Sequence, residues 1–453
     1  MSPARGGPVT RMKALLTAVR ARAASSHVAR RLAVGAAWSM AGAVIERVLS
    51  LAGSVVIVRI LGKESFGQLA ILQSTLTMVG VFAGLGLGLT ATKYVASLRN
   101  RDPQRLARVL TFANRVALAS GALMAGALAA GSGFIATHVL NMPEDAGLLA
   151  VTALALLFNT HQSYQSGALI GFEAMRKNTL AGIGAALISI PLSVSLAFLY
   201  GLAGAVWGLV LGSVGRWLIS RSMLADCMRQ RGIPRSASGW TGEWRAMRDF
   251  ALPALLSSAM VTPAHWICHA MLVNTPGGKE QMAVLGIANQ WYYGLLLLPM
   301  AAARIVLPVL TDSMAGSRPG HGASVLRIGM LSNCVMVLPF ALALGLCSPL
   351  VMRLYGPVYG GDWPVLAISV ATATLVAIQA PVGSVVAASG RMWLGTAMNL
   401  AWATVYVAMS RLLLERGAMG VALALLSAYV FHSLWTFAFA ARQMSSGRAP
   451  KMR

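Results

Sequence analysis

The stretch AVGAAWSMAGAVIERVLSLAGSVVIV, residues 33–58, sets an acid and a base side by side in the middle of an otherwise apolar run. At about 1.5 Å rise per residue, a helix over 34–58 is long enough to cross the roughly 30 Å hydrocarbon core of a bilayer, which puts Glu46 and Arg47 near mid-depth. On helical spacing Ser39, Gly42, Ala43, Glu46, Arg47, Ser50, Gly53 and Ser54 share one small, polar face, while Met40, Val44, Ile45, Val48, Leu51, Val55 and Val56 fall largely opposite. A helix standing alone in lipid has no use for such a face. This one is expected to look into a bundle or a wet cavity.

The rest of the chain has the same character. Over 453 residues it is 57% apolar and 11% charged, with mean hydropathy +0.68, which excludes a soluble globular fold. Twelve apolar segments are predicted as membrane spans: 34–58, 67–92, 109–131, 147–171, 179–200, 203–222, 249–273, 283–309, 324–347, 365–388, 394–414 and 418–441. The net charge of +24 is explained by topology. With the N-terminus in the cytoplasm, 28 of the 37 Lys and Arg fall in inside segments and their helix ends, six in outside loops and helix ends, and Arg47, Arg115 and Arg216 lie deeper inside the spans. Nucleic-acid binding would gather these charges on one surface, whereas they are spread over many short loops. Cys227, Cys268, Cys334 and Cys347 show no paired spacing, so neither a disulfide frame nor a metal site is expected, and no cofactor is implied. The Arg- and Ala-rich start lacks a signal-peptide pattern and reads as a cytosolic tail.

Aligning residue i with residue i + 216 superimposes the two halves without a net gap. Gly62-Lys63-Glu64 meets Gly278-Lys279-Glu280, Gly167 meets Gly383, and Gly201 with Gly204 meets Gly417 with Gly420. Six spans per half start each half on the same side, so the repeats are parallel, an arrangement whose site typically lies between the bundles near mid-depth. The predicted organisation is a basic cytosolic tail (1–33), a six-helix lobe (34–222), a basic cytosolic linker (223–248), a second six-helix lobe (249–441) and a basic tail (442–453). Gly84-Leu-Gly-Leu-Gly88 has the look of a phosphate loop, but no strand precedes it and it reads as a packing stripe inside an apolar helix. Pro263 falls opposite Arg47 in the repeat, so the seventh span is expected either to bend there in function or to carry a fixed kink.

Two runs, Arg59-Ile-Leu-Gly-Lys-Glu-Ser-Phe-Gly-Gln68 and Gly84-Leu-Gly-Leu-Gly-Leu-Thr-Ala-Thr-Lys-Tyr-Val-Ala96, resemble the opening of bacterial polysaccharide and O-antigen flippases. Gly167 to Lys177, Ala388 to Arg391 and Arg416 to Ala422 resemble patterns later in that family. The resemblance spans 34–442. It implies the all-α membrane fold of the multidrug, oligosaccharidyl-lipid and polysaccharide exporters, with two lobes around a central cleft, and a flippase for polyprenyl-diphosphate-linked oligosaccharide in the bacterial inner membrane. Both termini would be cytoplasmic, the partners would be the lipid-linked sugar, membrane lipids and polysaccharide-assembly proteins, and surface polysaccharide assembly, whether O-antigen, lipopolysaccharide or exopolysaccharide, would be the process served. No catalytic signature is carried over, and the chain is not expected to be an enzyme. A cation-coupled multidrug antiporter on the same fold is the alternative. A membrane glycosyltransferase would need a larger outside loop or a clustered acidic site than 132–146 and 348–364 offer.

Arg47 is the leading substrate-binding candidate, as a ligand for the diphosphate, against a structural ion pair; Glu46 is either its counter-ion or a coupling site for a proton or sodium ion. Neighbours on a helix diverge by about 100°, so a direct Glu46–Arg47 pair is not assured. His265 and His269, one turn apart, are expected either to face the cleft or to be hydrogen-bonded in the interior. Arg115, Arg216 and Arg304 are secondary cationic candidates, each near enough to the cytosolic side to snorkel. Gln73, Asn114, Gln162, Asn289, Gln290 and Gln379 offer either sugar contacts or interhelical packing bonds.

Overall fold

The computed structural model describes residues 27–234, 236–244, 260–315, 321–388 and 392–445. Most of both predicted tails, and part of the linker with the start of the seventh span, lie outside the described residues. Among those described, the regular elements are all helical.

The opening stretch lies in α1 (His27–Gly84), which Gly62 interrupts with φ 75° and ψ −178°, so that arms 27–61 and 63–84 form the first two spans. Residues with a Cβ rarely adopt that conformation, which is why a glycine makes the turn. The second span is not one helix: Leu85 (φ 45°) and Gly86 (φ 63°) are left-handed, and α2 (Leu87–Leu98) starts afresh. The expectation of an unbroken helix through Gly84–Gly88 is therefore corrected. Its packing component survives, since a methyl group on Gly167 would lie 2.1 Å from the Gly88 carbonyl oxygen. Next come α3 (Pro103–Phe134), capped by Asp102 accepting from the Arg105 amide, then α4 (Ala146–Gly171) and α5 (Met175–Gln230), broken at Gly201. The second half holds α6 (Val261–Val273), α7 (Gly278–Ala315), α8 (His321–Leu346), a short α9 (Ser348–Tyr355), α10 (Trp363–Ala388), α11 (Met392–Leu412) and α12 (Gly417–Ser445). Pro263 sits in the first turn of the described part of α6, where proline is tolerated.

Five described stretches, 103–139, 175–230, 326–346, 357–383 and 414–439, are long and apolar enough to cross a membrane. Of these, 175–230 holds two predicted spans. The duplication has a backbone counterpart. Gly201 (φ 58°, ψ −135°) and Gly417 (φ 59°, ψ −138°), 216 positions apart, make the same turn. Three residues on, methyl groups at Gly204 and Gly420 would meet the carbonyls of Leu196 and Leu413, ahead of each turn, at 1.8 and 1.9 Å.

Contacts set the directions of the helices. Gly42 meets Thr179 and Gly53 meets Ile190, so the first arms of α1 and α5 run parallel, whereas Gly208 meets Ser193 and Gly212 meets Ser189 in an antiparallel hairpin. The end carrying Gly62, Gly201 and Gly417 is called outer here, after its predicted orientation. One core cluster joins the halves, packing Val58, Phe66 and Ile71 with Ala283, Ile287 and Tyr355. A second cluster, including Leu87, Val95, Leu106, Phe112, Tyr164 and Leu224, is built from first-half and linker residues. The halves are thus fused at their outer ends, and the first half has a core of its own further in.

Candidate functional site

A cavity of about 450 Å³ opens beside the middle of α1. Its walls are Glu46, Arg47 and Ser50 of α1, Ser189 and Ser193 of the first arm of α5, Ser213 and Arg216 of the second arm, Asn159 of α4 and Leu297 of α7. Small residues make the space. A methyl on Gly208 would lie 2.6 Å from Ser193 Cα, so the α5 hairpin closes backbone to backbone and leaves its serine hydroxyls as the lining.

The charges are partitioned. The Glu46 carboxylate lies over Gly182, where a methyl would meet Oε1 at 1.7 Å, and it accepts from Arg216 Nη2 at 3.2 Å. Arg216 is therefore an ion-pair partner on the cavity wall, which corrects the snorkelling expectation. Arg47 is left without the neighbouring acid: its Nε and Nη2 are buried with no hydrogen-bond partner, and its guanidinium lies against Gly294, where a methyl would be 3.0 Å from Nε. One carboxylate, already engaged, faces two guanidiniums.

The other candidates lie elsewhere. Arg115 is stacked on the Trp240 ring of the linker at 4.6 Å, beside Phe112. The Arg304 side chain lies outside the described residues. His265 packs edge-on to Tyr406 (5.1 Å between centroids) and against Trp402 (5.5 Å) inside the second half. His269 Nδ1 is 2.8 Å from Ser74 Oγ across the junction of the halves. Neither histidine lines the cavity. Of the amide candidates, Asn114 accepts from His161 Nε2 at 2.6 Å and Gln379 accepts from Ser433 at 2.9 Å, both packing bonds. The Trp217 indole N–H can only donate, so it fixes His161 Nδ1 as acceptor and the ring as neutral. Sequence reading missed Asn159, Ser189, Ser193 and Ser213; the signal was present as serines four apart facing glycines four apart on the next helix. Among the described residues no group of three His, Cys, Asp or Glu could hold a metal.

Above the cavity the halves are clamped reciprocally by the repeated lysines. Lys63 pairs with Asp362 at 2.8 Å, and Lys279 pairs with Glu144 at 2.8 Å and Glu64 at 3.5 Å. Arg59 donates to the Leu354 carbonyl at 2.8 Å, and Gln68 donates to Asp145 at 2.8 Å beneath the clamp. Lys279 holds the Glu144 carboxyl below its ordinary range, and Glu144 in turn raises Lys279; burial pushes Asp145 up. The Glu144 contribution to closure is present above the ordinary value of 4.5 and is lost as pH falls below it. Asp145 acts in the opposite sense, since its protonated form fits the closed face better. Closure is thus expected to be insensitive to pH between about 6 and 8. Lys279→Met is expected to shift the balance between closed and open outer faces by only about twofold, because exposed pairs contribute on the order of 0.5 kcal/mol. The reactivity of Ser74→Cys toward an impermeant thiol reagent, with and without Lys279→Met and at pH of about 6 and 8, checks both statements.

The sequence pattern of the family described as polysaccharide biosynthesis protein matches residues 32–314. The chain is 27% identical over 413 residues to the EPS I polysaccharide export inner membrane protein EpsE of Ralstonia nicotianae, covering 88% of this chain and 89% of that one. It is 26% identical over 248 residues to the Lipid III flippase of Escherichia coli strain K12, covering 53% and 58%. Among solved structures, a multidrug resistance MATE family transporter of the MOP superfamily in an inward-facing conformation matches with TM-score 0.77 at 14% identity, covering 90% of this chain and 96% of that one. An outward-facing structure with the same family description gives TM-score 0.67 at 14% identity, covering 92% and 96%. At that identity the solved structures speak for the fold alone.

Proposed function

This chain belongs to the polysaccharide biosynthesis protein family, and from that premise we propose that it is an inner-membrane flippase moving a polyprenyl-diphosphate-linked oligosaccharide between leaflets by alternating access. The names of its relatives, a polysaccharide export inner membrane protein and a lipid III flippase, support that cargo class. The observation that carries the reading is Arg47, whose two buried N–H groups have no acceptor while the adjacent acid is spent on Arg216. A buried donor without a partner costs about 1–3 kcal/mol, more for a charged group, and diphosphate oxygens would remove that cost in a planar, bidentate contact. The lining serines and Asn159 are suited to the polar headgroup, which cannot cross hydrocarbon unaided.

In this scheme the lobes are 34–222 and 249–441, with linker and both termini cytoplasmic, and the outer clamp marks the state that loads from the cytoplasm. Glu46 is the counter-ion of Arg216. Its role as a coupling site for a proton or sodium ion would require that pair to open. A cationic drug finds no free carboxylate on the cavity wall, so nothing there favours the antiporter reading. Purified protein in lipid nanodiscs is expected to bind a polyprenyl-diphosphate monosaccharide and to release it to excess inorganic pyrophosphate but not to a cationic dye. Displacement by the dye and not by pyrophosphate would reverse the assignment.

A further inference from the structure

α7 meets the first half along one face, and three positions on that face have different surroundings. Near the outer end Gly286 is in contact range of Ala70 and Phe66, where a methyl would be 3.1 Å from the Ala70 Cβ. Deeper in, Leu297 lines the cavity. Tyr293 lies between them, one turn from Leu297 and about two turns from Gly286, so at 100° per residue all three project within about 40° of one another. Gly286 is pressed against the first half, yet Tyr293 is 52% exposed. Helix geometry thus places this exposed side chain on the face that joins the halves, just below the point where they touch, toward the gap between them. Its depth is fixed by its neighbour: Gly294 is the residue against which the Arg47 guanidinium rests.

The Tyr293 ring also has a neighbour. Tyr292 meets it edge-on, with centroids 5.1 Å apart and planes at 84°, and the Tyr292 hydroxyl is hydrogen-bonded to Tyr429 beside Trp402 and Tyr406. A large, half-open aromatic face, one residue along α7 from the glycine that meets an uncompensated guanidinium, matches the chemistry of a glycosyl diphosphate, in which an apolar pyranose face, with its polarised C–H bonds, is joined directly to the anion. Aromatic rings offer such a face a stacking surface at little entropic cost.

We propose that Tyr293 is the platform on which the first sugar of the cargo stacks while Arg47 holds the diphosphate, so that the protein distinguishes a sugar-bearing lipid from the bare polyprenyl diphosphate. The inference rests on the flippase reading above. It makes the second half a reader of the glycan and the first half a reader of the charge.

The test is equilibrium binding of two probes, polyprenyl diphosphate and polyprenyl-diphosphate monosaccharide, to the full chain in nanodiscs. Wild type is expected to favour the sugar-bearing probe by about tenfold, the size of one well-formed aromatic contact. Tyr293→Ala should lose that preference while binding the bare diphosphate as before, and Tyr293→Phe, which keeps the ring, should retain it. Arg47→Ala should weaken both probes together. A Tyr293→Ala protein that still prefers the sugar, or a wild type with no preference, overturns the platform. A Tyr293→Ala protein weakened equally toward both probes also overturns it, because the effect is then structural. If wild type binds neither probe, the flippase reading itself fails.

Discussion

Arg47→Ala is expected to abolish export of surface polysaccharide while the protein remains in the membrane at its normal level. The substitution removes the two donors that are buried without partners on the cavity wall, Nε and Nη2, and leaves the Glu46–Arg216 pair at 3.2 Å intact. Truncating a charged partner of a buried anion costs about 2–5 kcal/mol, or about 30-fold to several thousand-fold in affinity. Arg47→Lys is a sharper control, since it keeps the charge and loses the planar fork; an intermediate defect of about tenfold is expected. Folding is not expected to suffer from either change, because Nε and Nη2 satisfy no other group among the described residues. Polysaccharide at wild-type level from the alanine variant would remove Arg47 from the mechanism.

Gly67→Leu should trap the outer face open. Even a methyl at Gly67 would lie 1.7 Å from the Lys279 backbone carbonyl oxygen, and a backbone cannot step aside as a flexible side chain can. The contact is between halves, so the strain falls on their closure and not on the core of either one. Overpacking of this kind costs about 1–3 kcal/mol, and a two-state equilibrium poised within a few kcal/mol is inverted by that much. In a protein whose four native cysteines are replaced by alanine, Cys introduced at Ser74, beneath the clamp and beside His269, is expected to be protected from an impermeant thiol reagent added outside and to become reactive when Gly67→Leu is added. Unchanged protection would show that the closed face does not depend on this contact.

Much of the fold was legible because membrane spans announce themselves by hydropathy and because the chain is written twice. The turns at Gly201 and Gly417 follow from glycines that the repeat had already paired, and their φ, ψ values agree within a few degrees. The break at Leu85–Gly86 was not legible, because glycines four apart spell a packing stripe and a helix interruption with the same letters. At the site, the polar face of the first span pointed to Glu46 and Arg47, but their division depended on Arg216, 170 positions away, and on Gly182, whose missing side chain makes room for the carboxylate. Those facts belong to tertiary packing. For the same reason Arg115 and Arg216, equivalent in sequence as cations near the cytosolic side, part company: one stacks on Trp240 of the linker, and the other is drawn to Glu46. Tyr293 carries no sequence signal of its own, since an aromatic in an apolar helix reads as core until a neighbouring glycine is found against Arg47.

Translocation in proteoliposomes tests the central claim most directly. A polyprenyl-diphosphate monosaccharide loaded in one leaflet should become accessible to a sugar-modifying enzyme on the opposite side when wild-type protein is present, and Arg47→Ala should slow this by about 100-fold. Vesicles in which wild-type protein drives a cationic dye along an ion gradient but leaves the lipid-linked sugar in its original leaflet, or in which Arg47→Ala moves that sugar at the wild-type rate, would contradict the account.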